Sequence, residues 1–412
     1  MTVYCGIDWA EQHHDIAVVD EHGHLVARGR IGDDLDGFST LVQMLAAAGD
    51  TDCAIPVAIE TPRGLLVAAL RASGRRVYSI NPMAVARYRE RYSVSRKKSD
   101  HADAVVLANI LRTDAHAHRP LPRDSELVQA VAVLARAHQD GTWRRTRASN
   151  ELRSLLREYF PTFLAAFTGR KGNLTSADAR AVLAIAPTPA AAAKLSTTRI
   201  AAALRRGGRQ RGVEDLAAEL QQALRRPQLR QPPVVEEAMG TQALALLATL
   251  NVECASVDQL TEAASKAFRQ HPDHAIVTSF PGLADVTGAR VLAEIGDDRA
   301  RFADARALKA YAGAAPVTRA SGRSISITHR KVKNDRLAAA GYLWAFVAAT
   351  HAEPAKQHYQ RRRDHGDRHP AALRNLFNRL LGCLHHCLAT GQLYHPDKAF
   401  PQLAMPALTA AG

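Results

Sequence analysis

The chain is poor in cysteine: five residues in 412, scattered and odd in number. That suits a reducing cytoplasm, the location expected here, better than a disulfide framework. Cys383 and Cys387 flank His385 and His386 on an expected helix. One i,i+4 cysteine pair without a second pair elsewhere is a poor zinc signature, so the stretch reads as a helix with a buried cysteine face. Uninterrupted apolar runs of bilayer length are also missing, since Arg, Asp or Glu breaks the alanine-rich segments, and no membrane partner is expected. Residues 1–10 lack the basic-then-apolar order of a secretory leader. Finally, Asp8-Trp9-Ala10-Glu11-Gln12-His13 contains no glycine. An ATP-using enzyme of the actin and sugar-kinase type needs a glycine-rich phosphate hairpin after its first acid, so that class is disfavoured.

What the chain has in excess is positive charge. Lys and Arg number 54 against 40 Asp and Glu, a formal charge of +14. A protein that basic faces a polyanion, and nucleic acid is the commonest one. A hydrophobic fraction of 47% excludes a mostly disordered chain, and the length suits two or three domains.

Residues 1–121 alternate between strand and helix patterns. Val3–Ile7, Asp15–Asp20 and Leu25–Ile31 read as a three-stranded antiparallel meander, with Glu21–His24 as a turn. Asp36 is the expected cap of a helix carrying Phe38, Leu41, Val42 and Leu45. Then come a strand over Ile55–Ile59, a helix around Gly64–Ser73, a strand over Arg76–Ile80, a helix from Asn81-Pro82 and a helix over Asp100–Thr113. Three strands, helix, strand, helix, strand and helices is the order of the ribonuclease H-like fold. Residues 122–272 become long, charged, alanine-rich helices, including an arginine-rich segment over 205–230, and read as a helical or coiled-coil arm. Residues 273–395 form a mostly helical C-terminal domain that opens with a helix-hairpin-helix-like element around Pro281-Gly282, and 396–412 is a loosely held tail. The fold class is thus α/β plus α.

The acids carry the chemistry. Asp8 follows the first strand and Glu60 follows the strand Ile55–Ile59, so both stand at equivalent strand ends. Asp100 and Asp103 lie three apart and project from one helix face. Each alone has an ordinary role as strand end, turn residue or cap. Together, four carboxylates in a small volume repel unless cations neutralise them, and hard oxygen ligands select Mg²⁺, or Mn²⁺ in its place. Arg96, Lys97 and Lys98 add basic charge beside the acids.

Gly6-Ile7-Asp8-Trp9-Ala10, Ala58-Ile59-Glu60-Thr61 and Lys98-Ser99-Asp100-His101-Ala102-Asp103-Ala104 resemble the acidic blocks of the DEDD transposases of the IS-one-ten insertion-sequence family, which include the Piv-type invertases. The resemblance continues through Pro281-Gly282-Leu283, Ala293-Glu294-Ile295-Gly296, Tyr311-Ala312-Gly313 and Pro316 to Gly322. It implies a RuvC-like N-terminal domain, a coiled-coil arm and a transposase domain with a nucleophilic serine, acting in the bacterial cytoplasm. It further implies recombination of double-stranded DNA guided by a structured non-coding RNA, by a homodimer that assembles further, to a tetramer, on nucleic acid. The family's serine precedes a glycine, which points to Ser321 in Ala320-Ser321-Gly322, with Ser324 and Ser326 as the neighbours a register slip would select. Arg319, Arg323, His329, Arg330, Lys331 and Lys333 surround it as expected nucleic-acid contacts. Two other classes compete: a RuvC-type structure-selective endonuclease that uses water, and a non-catalytic nucleic-acid-binding scaffold. A protein–DNA adduct separates the first, and loss of function on replacing Glu60 separates the second.

Overall fold

The computed structural model describes residues 2–52, 54–92, 100–168, 173–322 and 324–401, with the side chains at positions 92, 100 and 101 outside that description. The chain divides into two compact units, Met1–Arg123 and Asp124–Gly412.

In the first unit β1 (Val3–Trp9), β2 (His13–Asp20) and β3 (Leu25–Gly32) form the antiparallel meander. The β2–β3 turn is closed by Asp20, whose Oδ1 accepts from the N–H groups of His22 and His24 at 2.9 and 2.8 Å, while Gly23 takes φ +89°. Helix α1 (Leu35–Ala47) leads to β4 (Val57–Ile59), and α2 (Leu65–Ala72) leads to β5 (Val77–Ser79). Both strands run parallel with β1, giving the order β3-β2-β1-β4-β5. Helices α3 (Pro82–Tyr92) and α4 (Asp100–Asp114) follow. The cap of α1 is Asp34, two residues before the expected Asp36, and its Oδ1 accepts from Gly37 N at 2.7 Å. Gly37 sits so close to Gly32 that a Cβ would lie 2.2 Å from the Gly32 oxygen, which fixes the helix start directly after β3.

The sheet is covered on both sides, so its central strands are apolar almost throughout. Cys5, Ile7, Ile16, Val57 and Ile59 meet Leu41 and Leu45 of α1 and Leu66 and Leu70 of α2. On the opposite face Ala58, Tyr78 and Ile80 meet Val85 and Tyr88 of α3 and Leu107, Ile110 and Leu111 of α4.

The second unit is built on two long helices, α5 (Glu126–Tyr159) and α11 (Pro233–Arg269). They run antiparallel: Arg144 meets Glu253 at 3.0 Å, and His138 meets Thr261 at 3.1 Å. Between them α6 (Pro161–Ala166), α7 (Ala177–Ile185), α8 (Pro189–Ala193), α9 (Thr197–Arg206) and α10 (Val213–Leu224) gather Leu183, Leu204 and Leu220 against Leu156, Tyr159 and Leu247. The segment 205–230 is therefore not one helix. Gly208 and Gly212, at φ +91° and +58°, break it between α9 and α10. By length and composition α11 is apolar enough to cross a bilayer. Its place in the fold argues otherwise, because its partner α5 exposes Arg147, Arg153 and Arg157, a surface unsuited to hydrocarbon.

The unit continues with α12 (His274–Thr278), α13 (Asp285–Ile295), α14 (Ala305–Tyr311), the hairpin β6 (Val317–Ser321) and β7 (Ser324–Thr328), then α15 (Asp335–His351), α16 (Glu353–Asp364), α17 (His369–Thr390) and α18 (Pro396–Ala399). A helix–turn–helix does surround Pro281-Gly282, and the turn is pressed onto α15. The Trp344 indole donates to Pro281 O at 2.9 Å, and a Cβ on Gly282 would lie 2.9 Å from Trp344 O. Packing, rather than an open phosphate cradle, accounts for that glycine. Residues 396–400, expected to be loose, are held: Phe400 is buried, and Arg379 Nε donates to Ala399 O at 2.6 Å.

Candidate carboxylate face and serine hairpin

Register decides where the first two acids stand. Ile7 and Ile59 are paired in the parallel β1–β4 ladder, so Asp8 and Glu60 follow side by side, about 4.8 Å apart in backbone. Side chains alternate along strands, so Gly6, Asp8, Ala58 and Glu60 share the face that α4 covers. The approach is close because residue 6 is glycine. A Cβ there would lie 2.1 Å from Ala104 O and 2.4 Å from Ala108 N, both backbone atoms of α4. Asp103, one residue before Ala104 in the same helix, is buried. Asp100 opens the same helix, and its side chain is outside the described residues, as are Arg96, Lys97 and Lys98.

Two cationic partners of this face were not legible in the sequence. Arg89 of α3 donates from Nη2 to Asp103 Oδ1, an ion pair with the aspartate almost wholly enclosed. Asp15 lies directly opposite Asp8 in the β1–β2 ladder and is gripped by Arg30, Nε to Oδ1 at 3.2 Å and Nη2 to Oδ2 at 2.8 Å. No local pattern announces either pair, since each joins different elements. Among the described residues no three His, Cys, Asp or Glu side chains gather at metal-binding range. The donor set is all carboxylate, which fits a hard divalent cation and not zinc. Closing a cage around such an ion requires Asp103 to give up Arg89. Cys5, beneath this face, takes no part: burial pushes its thiol up to about 12.

The serines stand on an exposed two-stranded ribbon. Ser321 pairs with Ser324 and Arg319 with Ser326 across β6–β7. Cross-strand partners share a face, so Arg319, Ser321, Ser324 and Ser326 all lie on one side and Ala320, Ile325 and Ile327 on the other. Ser321 ends β6 at the tip, where Gly322 takes φ +56°; Arg323 lies outside the described residues. The foot of the ribbon is anchored by Asn334. Its amide donates to Glu294 Oε2 and to the Tyr311 hydroxyl, both at 2.7 Å, and its Oδ1 accepts from Leu337 N at 2.8 Å to cap α15. Glu294 is buried and also takes Arg136 Nε at 2.7 Å, a bond that raises the arginine pKa further. Glu294 and Tyr311 are thus anchors of the ribbon. Arg319, His329 and Lys331 are exposed; Lys333 is paired with Asp335 at 2.8 Å.

Comparison with known proteins gives the family. Residues 5–161 match the DEDD model of IS110, described as "Transposase", and residues 274–360 match "Transposase IS116/IS110/IS902 family". A "Mini-circle putative transposase for IS117" of Streptomyces coelicolor is 57% identical over 408 residues, covering 99% of both chains. The chain belongs to the IS110/IS116/IS902 family of transposases. Family resemblance extends over nearly the whole length: the IS900 42 kDa protein of Mycobacterium paratuberculosis is 29% identical over 96% of this chain and 97% of its own. The IS116 44.8 kDa protein of Streptomyces clavuligerus is 28% identical over 98% of each. This transposase therefore acts on DNA, and both matched segments fall on the features built above, the carboxylate face and the serine ribbon.

Proposed function

We propose that this transposase cuts and rejoins DNA with Ser321 as nucleophile, assisted by a divalent cation held by Asp8, Glu60, Asp100 and Asp103. The observation that carries the reading is the pairing register, which sets Asp8 beside Glu60 under the acid-bearing α4. The sheet order β3-β2-β1-β4-β5, with β1–β3 antiparallel and β4 and β5 parallel to β1, supports a RuvC-like, ribonuclease H-like first unit. The antiparallel α5–α11 pair supports a coiled-coil arm. Mg²⁺ is the ion of choice and would supply charge stabilisation to the reacting phosphate and leaving oxygen.

The chain's own groups account for the rest. Ser321 sits at an exposed tip beside a glycine that contributes no side chain, so a phosphodiester can approach its Oγ. A serine hydroxyl is a weak nucleophile at neutral pH and must be positioned. Attack forms the Oγ–P bond and breaks the bond from phosphorus to the 3′ oxygen. Ser321 loses its proton, the departing oxygen gains one, and a phosphoserine and a free 3′ hydroxyl result. Rejoining is the reverse with a different 3′ hydroxyl and needs no external energy source, because one phosphoester replaces another. Arg319, Arg323, Arg330, Lys331 and Lys333, with Arg96, Lys97 and Lys98, hold DNA phosphates. The net charge of +14 and the exposed Arg147, Arg153 and Arg157 on α5 support a structured guide RNA as second polyanion, bound by a homodimer that assembles further on nucleic acid. The test is strand cleavage of element-end DNA with and without Mg²⁺, using Glu60→Gln. The reading requires loss of cleavage in both. Cleavage that survives either change removes the carboxylates from the chemistry.

A further inference from the structure

At the foot of the ribbon lies a pocket of about 160 Å³ that the serine chemistry does not use. Ala312, Phe377, Tyr342, Pro370, Arg330 and Arg374 are among the residues that line it. Its volume is well below the ~300–1,000 Å³ of clefts that engulf whole organic ligands, and suits a single planar ring. Among the described residues no carboxylate lines it. Lys333 also lines it and is paired with Asp335 at 2.8 Å. Arg330 is different: its Nε is buried with no hydrogen-bond partner among the described residues, an arrangement that costs free energy unless something accepts from it. Tyr342 is 47% exposed and lines the pocket, and its hydroxyl is held by His369 Nε2 at 3.3 Å, which limits rotation of the ring.

A tyrosine beside guanidinium groups that meet no carboxylate among the described residues matches one ligand chemistry, a base attached to a phosphate. We propose that this pocket grips one unpaired nucleotide of a nucleic-acid strand. The base lies against Tyr342 and Pro370, and the flanking phosphate accepts from Arg330 and Arg374. A base within a duplex is stacked on both sides and cannot enter a pocket of this size, so the grip selects unpaired strand. The five residues of β7 span about 17 Å, which sets the pocket apart from the tip that bears Ser321. The pocket therefore holds a strand away from the phosphate being cut. Only that placement rests on the serine reading; the ligand assignment does not.

The test uses the full chain carrying Ser321→Ala, so that no cutting intervenes. Three probes are compared by fluorescence anisotropy: a ten-nucleotide single-stranded DNA, the same sequence as RNA, and the DNA duplex. Tyr342→Ala, and separately Arg374→Ala, should weaken single-strand binding on the order of tenfold. Duplex binding should change less than about twofold, and Tyr342→Phe should retain single-strand affinity. Whichever of DNA and RNA loses more is the strand held. A 5-iodouracil in that strand should crosslink to Tyr342 on irradiation. Equal losses for duplex and single strand would reduce the pocket to part of a general basic surface and overturn the proposal. Unchanged single-strand binding in both variants, with native circular dichroism, would overturn it as well.

Discussion

Replacing Gly6 by alanine should detach the helix that carries Asp103. The added Cβ would sit 2.1 Å from Ala104 O and 2.4 Å from Ala108 N, more than 1 Å inside ordinary contact. Both opposing atoms are helix backbone, which no rotamer change can move, so α4 must retreat as a body. A radial gap of ~0.5–1 Å forfeits a quarter to a half of each atom–atom attraction, and a buried leucine makes some 40–60 such contacts of ~0.1–0.2 kcal/mol. About half of those of Leu107, Ile110 and Leu111 face the sheet, so the loss is roughly 1 kcal/mol each and about 3 kcal/mol in total. At ~1.4 kcal/mol per tenfold, backbone amides of α4 should exchange about a hundredfold faster. Hydrogen exchange with mass spectrometry on α4 peptides of the full chain reads this directly, with α13 peptides of the second unit as the unchanged control. Wild-type protection of α4 in Gly6→Ala would refute the close approach, and with it the position assigned to Asp103.

Arg89→Leu should raise the affinity for Mn²⁺, because the guanidinium that competes for Asp103 is gone; unchanged or weaker binding by calorimetry would remove Asp103 from the ligand set. Glu294→Ala strips Arg136 and the Asn334 amide of their shared acceptor and should cost about 3 kcal/mol, read from the urea midpoint; a change under about 1 kcal/mol would mean the ribbon is anchored elsewhere. His138, between α5 and α11, is pushed down to about 4 by burial, with Arg290 and Arg145 adding to it. Below the ordinary imidazole pKa of about 6.5 the unfolded chain binds a proton that the folded chain refuses, so stability should fall as pH drops from about 6.5 towards 4. His138→Gln should flatten that slope, and an unaltered slope would assign it to other groups.

The first unit was readable because its signals are local. The strands at Val3, Asp15, Leu25, Ile55 and Arg76 and the helices at Gly64, Pro82 and Asp100 appear within about two residues of their expected bounds. Apolar runs ending in an acid, turn residues and cap residues act within a few positions, and all lie in the sequence as neighbours. The cap of α1 slipped from Asp36 to Asp34 because the contact that decides it, Gly37 on Gly32, is a backbone clash with no sequence signature. Long-range pairs stayed invisible for the same reason: Arg89 reaches Asp103 across two helices, and Arg30 reaches Asp15 across two strands. The serine ribbon was half legible. Its alternation was visible, but only the ladder puts Ser321, Ser324 and Ser326 on a single face; Ser321 and Ser324 both flank the tip, so the choice of Ser321 rests on the glycine that follows it.

The most direct measurement of the central claim is a covalent one. Wild-type protein is incubated with Mg²⁺ and element-end DNA, denatured, digested with nuclease and protease, and searched by mass spectrometry for a nucleotide-bearing peptide spanning residues 317–328. The account predicts a phosphodiester-linked nucleotide on Ser321, absent when Mg²⁺ is omitted and absent in both Glu60→Gln and Ser321→Ala. Cleaved DNA without any protein-linked nucleotide, or an adduct that persists in Ser321→Ala, would contradict it.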